Sequence, residues 1–338
     1  MLGVTDTYRR YLLASRPVGL ADDTTVRLDD SATVPEPADG QALIRVRYLS
    51  IDPTIRTWMD DAPGYLPPIA LGEVVRSGGI GEVVSSRSAR YRQGDLVFGM
   101  TGWQEYVLAD EAGDAMTVLP PGVDPALALS VFGVTGMTAY FGLLDVGRPR
   151  PGDTVVVSGA AGATGSVAGQ LARIAEARTV VGIAGSAEKC AWLTDELGFD
   201  HAIDYRRERV AQRVRETCPD GIDVYFDNVG GEILDACLAN LAMRARVVLC
   251  GAISQYNEDR PVGPRHYLSL IAKRARMEGF LVLDYVDRFP EAQAAMAGWV
   301  MDGAIKHREH VVEGLEHSVE ALNLLFNGGN TGKVVVRI

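Results

Sequence analysis

The chain has 338 residues, of which 47% are hydrophobic and 23% are charged. This balance is typical of a soluble globular protein, and the length allows two domains. Lysine and arginine number 33 against 44 aspartate and glutamate residues, so the net charge is −11. A protein this acidic is repelled by nucleic acids and by anionic membranes, which excludes both as expected partners.

No run of about 20 apolar residues predicts a membrane span, and the segment MLGVTDTYRRYLLASRP (1–17) lacks the apolar core of a signal peptide. We therefore expect a cytoplasmic protein. The four cysteines have no CxxC spacing and are expected to be reduced and mostly buried, namely Cys190, Cys218, Cys237 and Cys250. His307 and His310 have no cysteine or carboxylate cluster beside them to complete a site, so we expect no bound metal.

The first 120 or so residues contain short apolar segments separated by proline and glycine. Regular short strands with turn signals are typical of a β-rich, barrel-like domain. The predicted strands are QALIRVRYLSID (41–52), GIGEVVSS (79–86), GDLVFGM (94–100) and WQEYVLAD (103–110).

From Pro151 onwards, apolar strands alternate with segments of helical length, which predicts a parallel, doubly wound α/β sheet with helices on both faces. The predicted strands are TVVVSG (154–159), TVVGIAG (179–185), HAID (201–204), IDVYFDNVG (222–230) and ARVVLCGA (245–252). The intervening helices are predicted to end near Ala177, at Leu197 before Gly198, near Thr217 and near Ala242.

The last part of the chain changes again, with a predicted helix over 315–328 and a strand over 332–338. A terminal strand after a wound domain needs a partner, and we expect it to pack back onto the first domain. The predicted organisation is a β-rich substrate and catalytic domain of residues 1–124 and 305–338, and a Rossmann dinucleotide-binding domain of residues 125–304.

A glycine-rich turn joins the first strand of the wound domain to its helix. Gly159, Gly162 and Gly165 have the spacing GxxGxxG in a strand–turn–helix context. Residues without Cβ let a pyrophosphate come close to the backbone, and the helix N-terminus offers N–H groups and a positive dipole end. The turn therefore predicts a phosphate-bearing cofactor, although glycine turns also occur for packing alone.

The end of the second strand indicates which cofactor is bound. An NAD-specific fold places an aspartate or glutamate there, on the ribose hydroxyls, but this chain has VVGIAGSAEK with no acid before Glu188. Gly185 and Ser186 open a loop, and Lys189, one of four lysines in the chain, follows one helical turn later. A lysine suits a 2′-phosphate, so the sequence favours NADP(H) over NAD(H), with a solvated Lys189 as the alternative.

Several catalytic motifs are absent from the sequence. There is no Tyr-x-x-x-Lys pair, no GxSxG nucleophile elbow and no GxxxxGK[ST] phosphate loop. These absences leave a hydride-transfer enzyme, or a protein that binds NADPH without turnover.

The chain resembles the medium-chain dehydrogenase/reductase superfamily in SGAAGATGS (158–166), FDNVGGEILD (226–235), LCGAISQYN (249–257) and GGNTGKVVV (328–336). Within it, LLASRPVG (12–19), LSIDPTIR (49–56), GYLPPIALGEVVRSGGIGEVV (64–84) and GDLVFGMTGWQEY (94–106) resemble the zinc-independent branch of prostaglandin reductases, leukotriene hydroxydehydrogenases, alkenal double-bond reductases and curcumin reductase. The resemblance implies a GroES-like barrel for the first domain. Ser50 stands where the zinc-dependent branch has its cysteine, and Gly72 is followed directly by Glu73 where that branch has a Gly-His-Glu turn, so no zinc is expected.

The resemblance also implies contacts to the cofactor, beyond Gly162, Gly185 and Ser186, which follow from the turns themselves. The implied residues are Ala163, Thr164, Gly165 and Ser166 at the pyrophosphate, Lys189 and Tyr205 at the 2′-phosphate, Asn228 nearby, Cys250, Gly251, Ala252, Ile253, Ser254 and Tyr256 along the nicotinamide, Phe280, Leu281 and Val282 beyond it, and Asn330 closing over the cofactor.

Two tyrosines, Tyr65 and Tyr256, match positions that face the substrate in such enzymes. A phenol can donate a hydrogen bond to a carbonyl oxygen as enolate charge develops, or supply a proton, whereas the alternative for each is packing alone. Without zinc to stabilise an alkoxide, the predicted reaction is NADPH-dependent reduction of the C=C bond of a small enone. The alternatives are a quinone reductase and a redox-sensing NADPH-binding protein without turnover. The resemblance further suggests a homodimer.

Overall fold

The structure is a computed structural model that describes residues 7–113 and 115–338. Residues 1–6 and Asp114 lie outside the described residues, and so does the beginning of the segment 1–17 on which the expectation about a signal peptide rests. Among the described residues, no helix is both long and apolar enough to cross a membrane.

Strands account for much of both halves of the described chain. They are β1 (Thr7–Leu13), β2 (Val26–Thr33), β3 (Gln41–Ile51), β4 (Gly78–Ser86), β5 (Leu96–Met100), β6 (Tyr106–Asp110), β7 (Thr117–Val118), β8 (Thr154–Ser158), β9 (Thr179–Ala184), β10 (His201–Asp204), β11 (Ile222–Asp227), β12 (Leu241–Leu249), β13 (Arg276–Gly279), β14 (Glu309–Glu313) and β15 (Lys333–Arg337).

The α-helices are α1 (Thr54–Trp58), α2 (Pro125–Leu129), α3 (Val134–Tyr140), α4 (Ala163–Ile174), α5 (Ala187–Ala191), α6 (Val210–Thr217), α7 (Gly231–Leu238), α8 (Ser269–Lys273), α9 (Phe289–Met301) and α10 (Ser318–Asn327). Two of them continue as π-helical segments, Phe141–Gly147 and Trp192–Glu196. Short 3₁₀ segments are Ile253–Gln255, Val282–Arg288 and Leu315–His317.

The chain divides into two compact units. The first comprises the described part of Met1–Leu129 with Glu309–Gly329 and Val334–Ile338, and the second comprises Ser130–Arg308 with Asn330–Lys333. The assignment of the first unit to substrate and the second to cofactor stays a prediction.

The first unit is built on strand β3, which has three strand partners. It pairs antiparallel with β4, β6 and β15, with Val334 opposite Ile51. The prediction that the terminal strand returns to the β-rich part of the chain is therefore confirmed. Leu49 and Ile51 of β3 and Val334 and Val336 of β15 are buried in one apolar cluster, and this burial fixes the terminal strand in place.

The second unit is a six-stranded parallel sheet in the order β10-β9-β8-β11-β12-β13. This strand order is that of a doubly wound dinucleotide-binding fold, so the predicted fold class, a wound parallel sheet plus a separate β-rich sheet, is confirmed. Successive residues of β11 are covered on opposite faces. Tyr225 belongs to a cluster with Ile233 and Leu238 of α7, while Phe226 lies beneath Gly142 on the other face.

Two predicted boundaries between β11 and β12 are wrong. The helix expected to reach Ala242 ends at Leu238, and strand β12 begins at Leu241 rather than Ala245. The reason is tertiary, since Leu241 pairs with Ile222 of the neighbouring strand and the Ile222 amide donates to the Asn240 carbonyl at 2.9 Å. The stop predicted at Gly198 is confirmed, because Gly198 has φ +74° directly after the helical turn.

Replacing two helical glycines by alanine should have opposite effects on stability. A Cβ on Gly169 of α4 would lie 1.9 Å from the ring of Phe199, whereas a Cβ on Gly298 of α9 would meet nothing within 4 Å. Gly298→Ala should raise the melting temperature, because alanine is the better helix former by up to about 1 kcal/mol. Gly169→Ala should lower the melting temperature, because overpacking reduces the free energy of unfolding by about 1–3 kcal/mol.

Thermal unfolding followed by circular dichroism measures both effects in one series. A similar rise in melting temperature for both variants would contradict the close packing of α4 on Phe199.

Candidate functional site

The glycine turn after β8 is shaped by close backbone contacts. Gly159 has φ +57°, a conformation that glycine adopts more readily than other residues. A Cβ on Gly165 would lie 2.4 Å from the Gly159 carbonyl oxygen. The first turn of α4 therefore rests directly on the turn before it, and only glycine fits at residue 165.

The N-terminus of α4 suits an anionic group. Its N-cap is Gly162, which has no side chain to cap the helix, and no acidic residue lies in the first turn. The first amide groups of a helix have no partner within the helix and carry the positive end of its dipole. The predicted contacts Ala163, Thr164 and Gly165 supply these groups, whereas the Ser166 amide donates to the Gly162 carbonyl at 3.0 Å. The residues present therefore fit a dinucleotide pyrophosphate.

Asn330 lies in a tail segment that runs beside the glycine turn. The Gly332 amide donates to the Ala161 carbonyl at 2.8 Å, and Gly332 forms a parallel bridge with Gly162. Asn330 is buried and its Nδ2 donates to the Gly332 carbonyl at 3.0 Å. The structure thus brings Asn330 near the predicted pyrophosphate residues, while a contact to the cofactor stays a prediction.

The four residues predicted around the 2′-phosphate gather at the end of β9. The Tyr205 amide donates to the Ala184 carbonyl at 3.0 Å, and a Cβ on Gly185 would meet the Tyr205 ring at 2.9 Å. Ser186 is the N-cap of α5, and its Oγ accepts from the Lys189 amide at 3.2 Å. Tyr205 therefore packs closely on Gly185, directly before the helix that carries Lys189.

Arg206 adds a second cation at this place, which reasoning from the sequence missed. Its guanidinium carbon lies 5.9 Å from the centre of the Tyr205 ring. Burial lowers the pKa of Lys189, and repulsion by Arg206 lowers it further, with Glu188 acting in the opposite direction. Two positive side chains that repel each other are suited to an anion. The run DYRRER (204–209) could have indicated this, but not which arginine faces Lys189.

A buried carboxylate, also missed from the sequence, fixes the ends of β8 and β11. Asp227 is 0% exposed, and its Oδ1 accepts from Ser158 Oγ at 2.8 Å, from the Tyr225 hydroxyl at 2.7 Å and from the Gly230 amide at 3.1 Å. Burial raises the pKa of Asp227, and these donors counteract the rise. Asn228 completes the link, because its Nδ2 donates to the Ser158 carbonyl at 2.7 Å.

The segment predicted to line the nicotinamide follows β12 and is bound to the end of β11. The Cys250 amide donates to the Asp227 carbonyl at 2.9 Å, and the Ile253 amide donates to the Asn228 carbonyl at 3.2 Å. Burial raises the pKa of the Cys250 thiol to about 12, so this cysteine stays protonated at neutral pH. Gly251, Ala252 and Ser254 complete the turn.

Tyr256 turns back onto this segment. Its hydroxyl oxygen accepts from the Ala252 amide at 3.1 Å. A phenol oxygen that accepts a hydrogen bond still carries its own hydrogen and can donate it to an acceptor. The position of the hydroxyl is therefore set by the backbone of the turn itself.

The remaining predicted residues follow β13 at the same edge of the sheet. Phe280 packs on Gly142, where a Cβ would lie 2.4 Å from its ring. Leu281 is extended, and Val282 is buried at the start of a 3₁₀ segment. Carboxyl ends of parallel strands meet at one end of a sheet, which is why predicted residues from separate segments of sequence lie at the same end of this sheet.

Tyr65 belongs to the first unit and has its own surroundings. Its ring packs edge-on against Trp58 at 6.3 Å, and Arg76 lies 5.6 Å over the same indole. The tyrosine is 47% exposed, and burial of the hydroxyl raises its pKa. Trp58 therefore helps to position the Tyr65 ring.

The position of a zinc ligand in related zinc enzymes carries a serine here. Ser50 is buried and its Oγ donates to Asp52 at 2.5 Å. Across residues 7–113 and 115–338, no group of three or more histidine, cysteine, aspartate or glutamate side chains is arranged to hold a metal.

Comparison with known families matches both parts of the chain. Residues 9–118 match the N-terminal domain of oxidoreductase, and residues 163–298 match the zinc-binding dehydrogenase family. The second match covers the wound sheet from the first residue of α4 to α9.

Individual relatives match nearly the whole chain. The NADPH-dependent curcumin reductase of Escherichia coli (strain K12) is 42% identical over 98% of this chain and 96% of its own. The 2-alkenal reductase (NADP(+)-dependent) of Nicotiana tabacum is 39% identical, with 90% and 89% covered. The crystal structure of CurA from Vibrio vulnificus in complex with NADPH superposes with a TM-score of 0.92 at 42% identity, covering 97% of this chain and 98% of CurA. The chain belongs to the medium-chain dehydrogenase/reductase superfamily, in the family of the NADP-dependent curcumin and alkenal reductases.

Proposed function

We propose that the protein is an NADPH-dependent reductase of the C=C bond of α,β-unsaturated ketones and aldehydes. The observation that carries the proposal is the match over 90% or more of the chain to relatives named for curcumin and 2-alkenal reduction. A 2-alkenal is an aldehyde conjugated to a C=C bond, which defines the substrate class.

The residues at the carboxyl edge of the wound sheet support NADP(H) as the cofactor. The uncapped start of α4 suits the pyrophosphate, and Lys189, Arg206 and Tyr205 suit a 2′-phosphate because they combine positive charge with hydrogen-bond donors. When bound, the cofactor supplies a hydride. No acidic side chain lies on β9 or in the loop up to Ser186, where a fold specific for NAD has one.

The task left to the chain is to hold the substrate carbonyl and to stabilise negative charge that develops on its oxygen. The bond from the Ala252 amide fixes the Tyr256 hydroxyl, which supports Tyr256 as the donor for this task. A hydrogen-bond donor fixed before reaction stabilises developing charge without reorganisation. Tyr65, with its raised pKa, stays protonated at neutral pH and is the second candidate donor.

A panel of oxidants tests the proposal, using the loss of NADPH absorbance at 340 nm as the measurement. We expect consumption of NADPH with 2-alkenals and alkenones and none with simple quinones. Consumption with quinones alone would favour a quinone reductase, and no consumption despite NADPH binding would favour a redox sensor.

Replacing Lys189 tests the cofactor assignment. A charged hydrogen bond contributes about 1.5–3 kcal/mol, so Lys189→Ala should weaken NADPH binding roughly ten- to a hundredfold while NADH binding barely changes. Lys273→Ala, on helix α8, is the matched control and should change neither. Dissociation constants from fluorescence titration measure this, and equal losses for both cofactors would remove Lys189 from the 2′-phosphate site.

Replacing Tyr256 tests its part in the reaction. Tyr256→Phe keeps the ring but removes the hydroxyl, and should lower kcat by about a hundredfold or less, because water can protonate an enolate after hydride transfer. Tyr267→Phe alters an exposed tyrosine and serves as the control. Full turnover of Tyr256→Phe on several alkenones, with unchanged NADPH affinity, would mean that Tyr256 only packs.

A homodimer in the cytoplasm stays a prediction. Strand β13 ends the six-stranded sheet in the described chain, and an edge strand offers unpaired backbone groups to a second copy. Light scattering on the purified protein measures the oligomeric state.

A further inference from the structure

A cavity rich in arginine lies at the amino ends of the parallel strands, opposite the candidate cofactor site. Its volume is about 330 Å³. Five arginine and two aspartate side chains line it, which gives a formal charge of +3 in a chain of net charge −11. The arginines are Arg150, Arg244, Arg246, Arg274 and Arg276.

This cavity is separate from the candidate cofactor site. Asp153 directly precedes β8, and Arg276 is the first residue of β13, so the cavity lies where the parallel strands begin. The glycine turn follows the last residue of β8. Strand β8 has five residues at about 3.3 Å each, so roughly 16 Å separates the cavity from the glycine turn.

Like charges face each other within the cavity. Arg246 of β12 and Arg276 of β13 are directly opposite in register, a pairing that destabilises a sheet. Arg246 is compensated by an ion pair with Asp153, and Arg276 donates to the Val146 carbonyl at 2.6 Å and lies 3.6 Å from Glu278. These partners leave three further guanidinium groups around the cavity.

Those three arginines have no ion pair within residues 7–113 and 115–338. Two of them also have left-handed backbone geometry, Arg244 with φ +62° and Arg274 with φ +49°, although Arg274 is the C-cap of α8, where this geometry is common. Residues with Cβ rarely adopt this left-handed region, and such outliers cluster at ligand sites. Glycine or asparagine would be easier to accommodate, yet both positions carry arginine and both line the same cavity.

We propose that this cavity is a second binding site, for a compact multivalent anion of the phosphate type. Guanidinium groups form bidentate hydrogen bonds with phosphate oxygens. A bound anion would offset the repulsion between Arg246 and Arg276 and supply partners for Arg150, Arg244 and Arg274. The volume admits a diphosphate or the phosphorylated end of a metabolite.

Calorimetric titration with inorganic pyrophosphate at 0.15 M salt tests the proposal, with the cofactor site filled by NADPH so that it does not take up the probe. We expect pyrophosphate to bind, and the double variant Arg244→Gln/Arg274→Gln to weaken it by at least tenfold without changing NADPH affinity. Arg148→Gln is the matched control, because Arg148 is an exposed arginine with φ +48° that does not line the cavity.

Arg244→Asn provides a second variant, since asparagine tolerates left-handed geometry. It should keep or raise the melting temperature while weakening pyrophosphate binding.

A parallel titration with ADP separates the two sources of a diphosphate, which are the free ion and a nucleotide. Binding of either ligand that depends on Arg244 in the same way supports the site. Absence of pyrophosphate binding when NADPH is bound, or equal binding by all variants, would overturn the proposal.

Discussion

The candidate site depends on the hydrogen bonds that the buried carboxylate of Asp227 accepts. It joins the ends of β8 and β11 through Ser158 and holds the amides that begin the next loop. A buried acceptor with several donors is costly to disturb, because each donor would lose its partner in a place without water. The glycine turn, the Asn228 loop and the segment from Cys250 to Tyr256 are all attached to this point.

The same arrangement explains how scattered residues form one site. Parallel strands end at one edge, so the loops after β8, β9, β11, β12 and β13 become neighbours although they are far apart in sequence. Each loop then has a distinct task. The first carries the N-terminus of α4, the second carries Lys189 and lies beside Tyr205 from the end of β10, and the fourth carries Tyr256 on a turn that bonds its hydroxyl.

Much of this architecture could be predicted from the sequence, since the wound sheet follows from alternating apolar strands and helices and the glycine turn from its spacing. The boundary at Ala242 could not, because pairing of Leu241 with Ile222 overrides the local helical pattern. Asp227 is an acid at the end of an apolar strand, and only the tertiary fold brings Ser158 to it. Positions such as Tyr65 and Asn330 were available only through resemblance to a family, since no local pattern marks them.

We propose that hydride is delivered to the carbon β to the carbonyl of an enone. NADPH carrying deuterium at the transferable position, incubated with the enzyme and a simple alkenone, tests it by NMR of the product. We expect a saturated ketone with deuterium on the β-carbon. An allylic alcohol with deuterium on the carbinol carbon, which would mean reduction of the carbonyl itself, would contradict it.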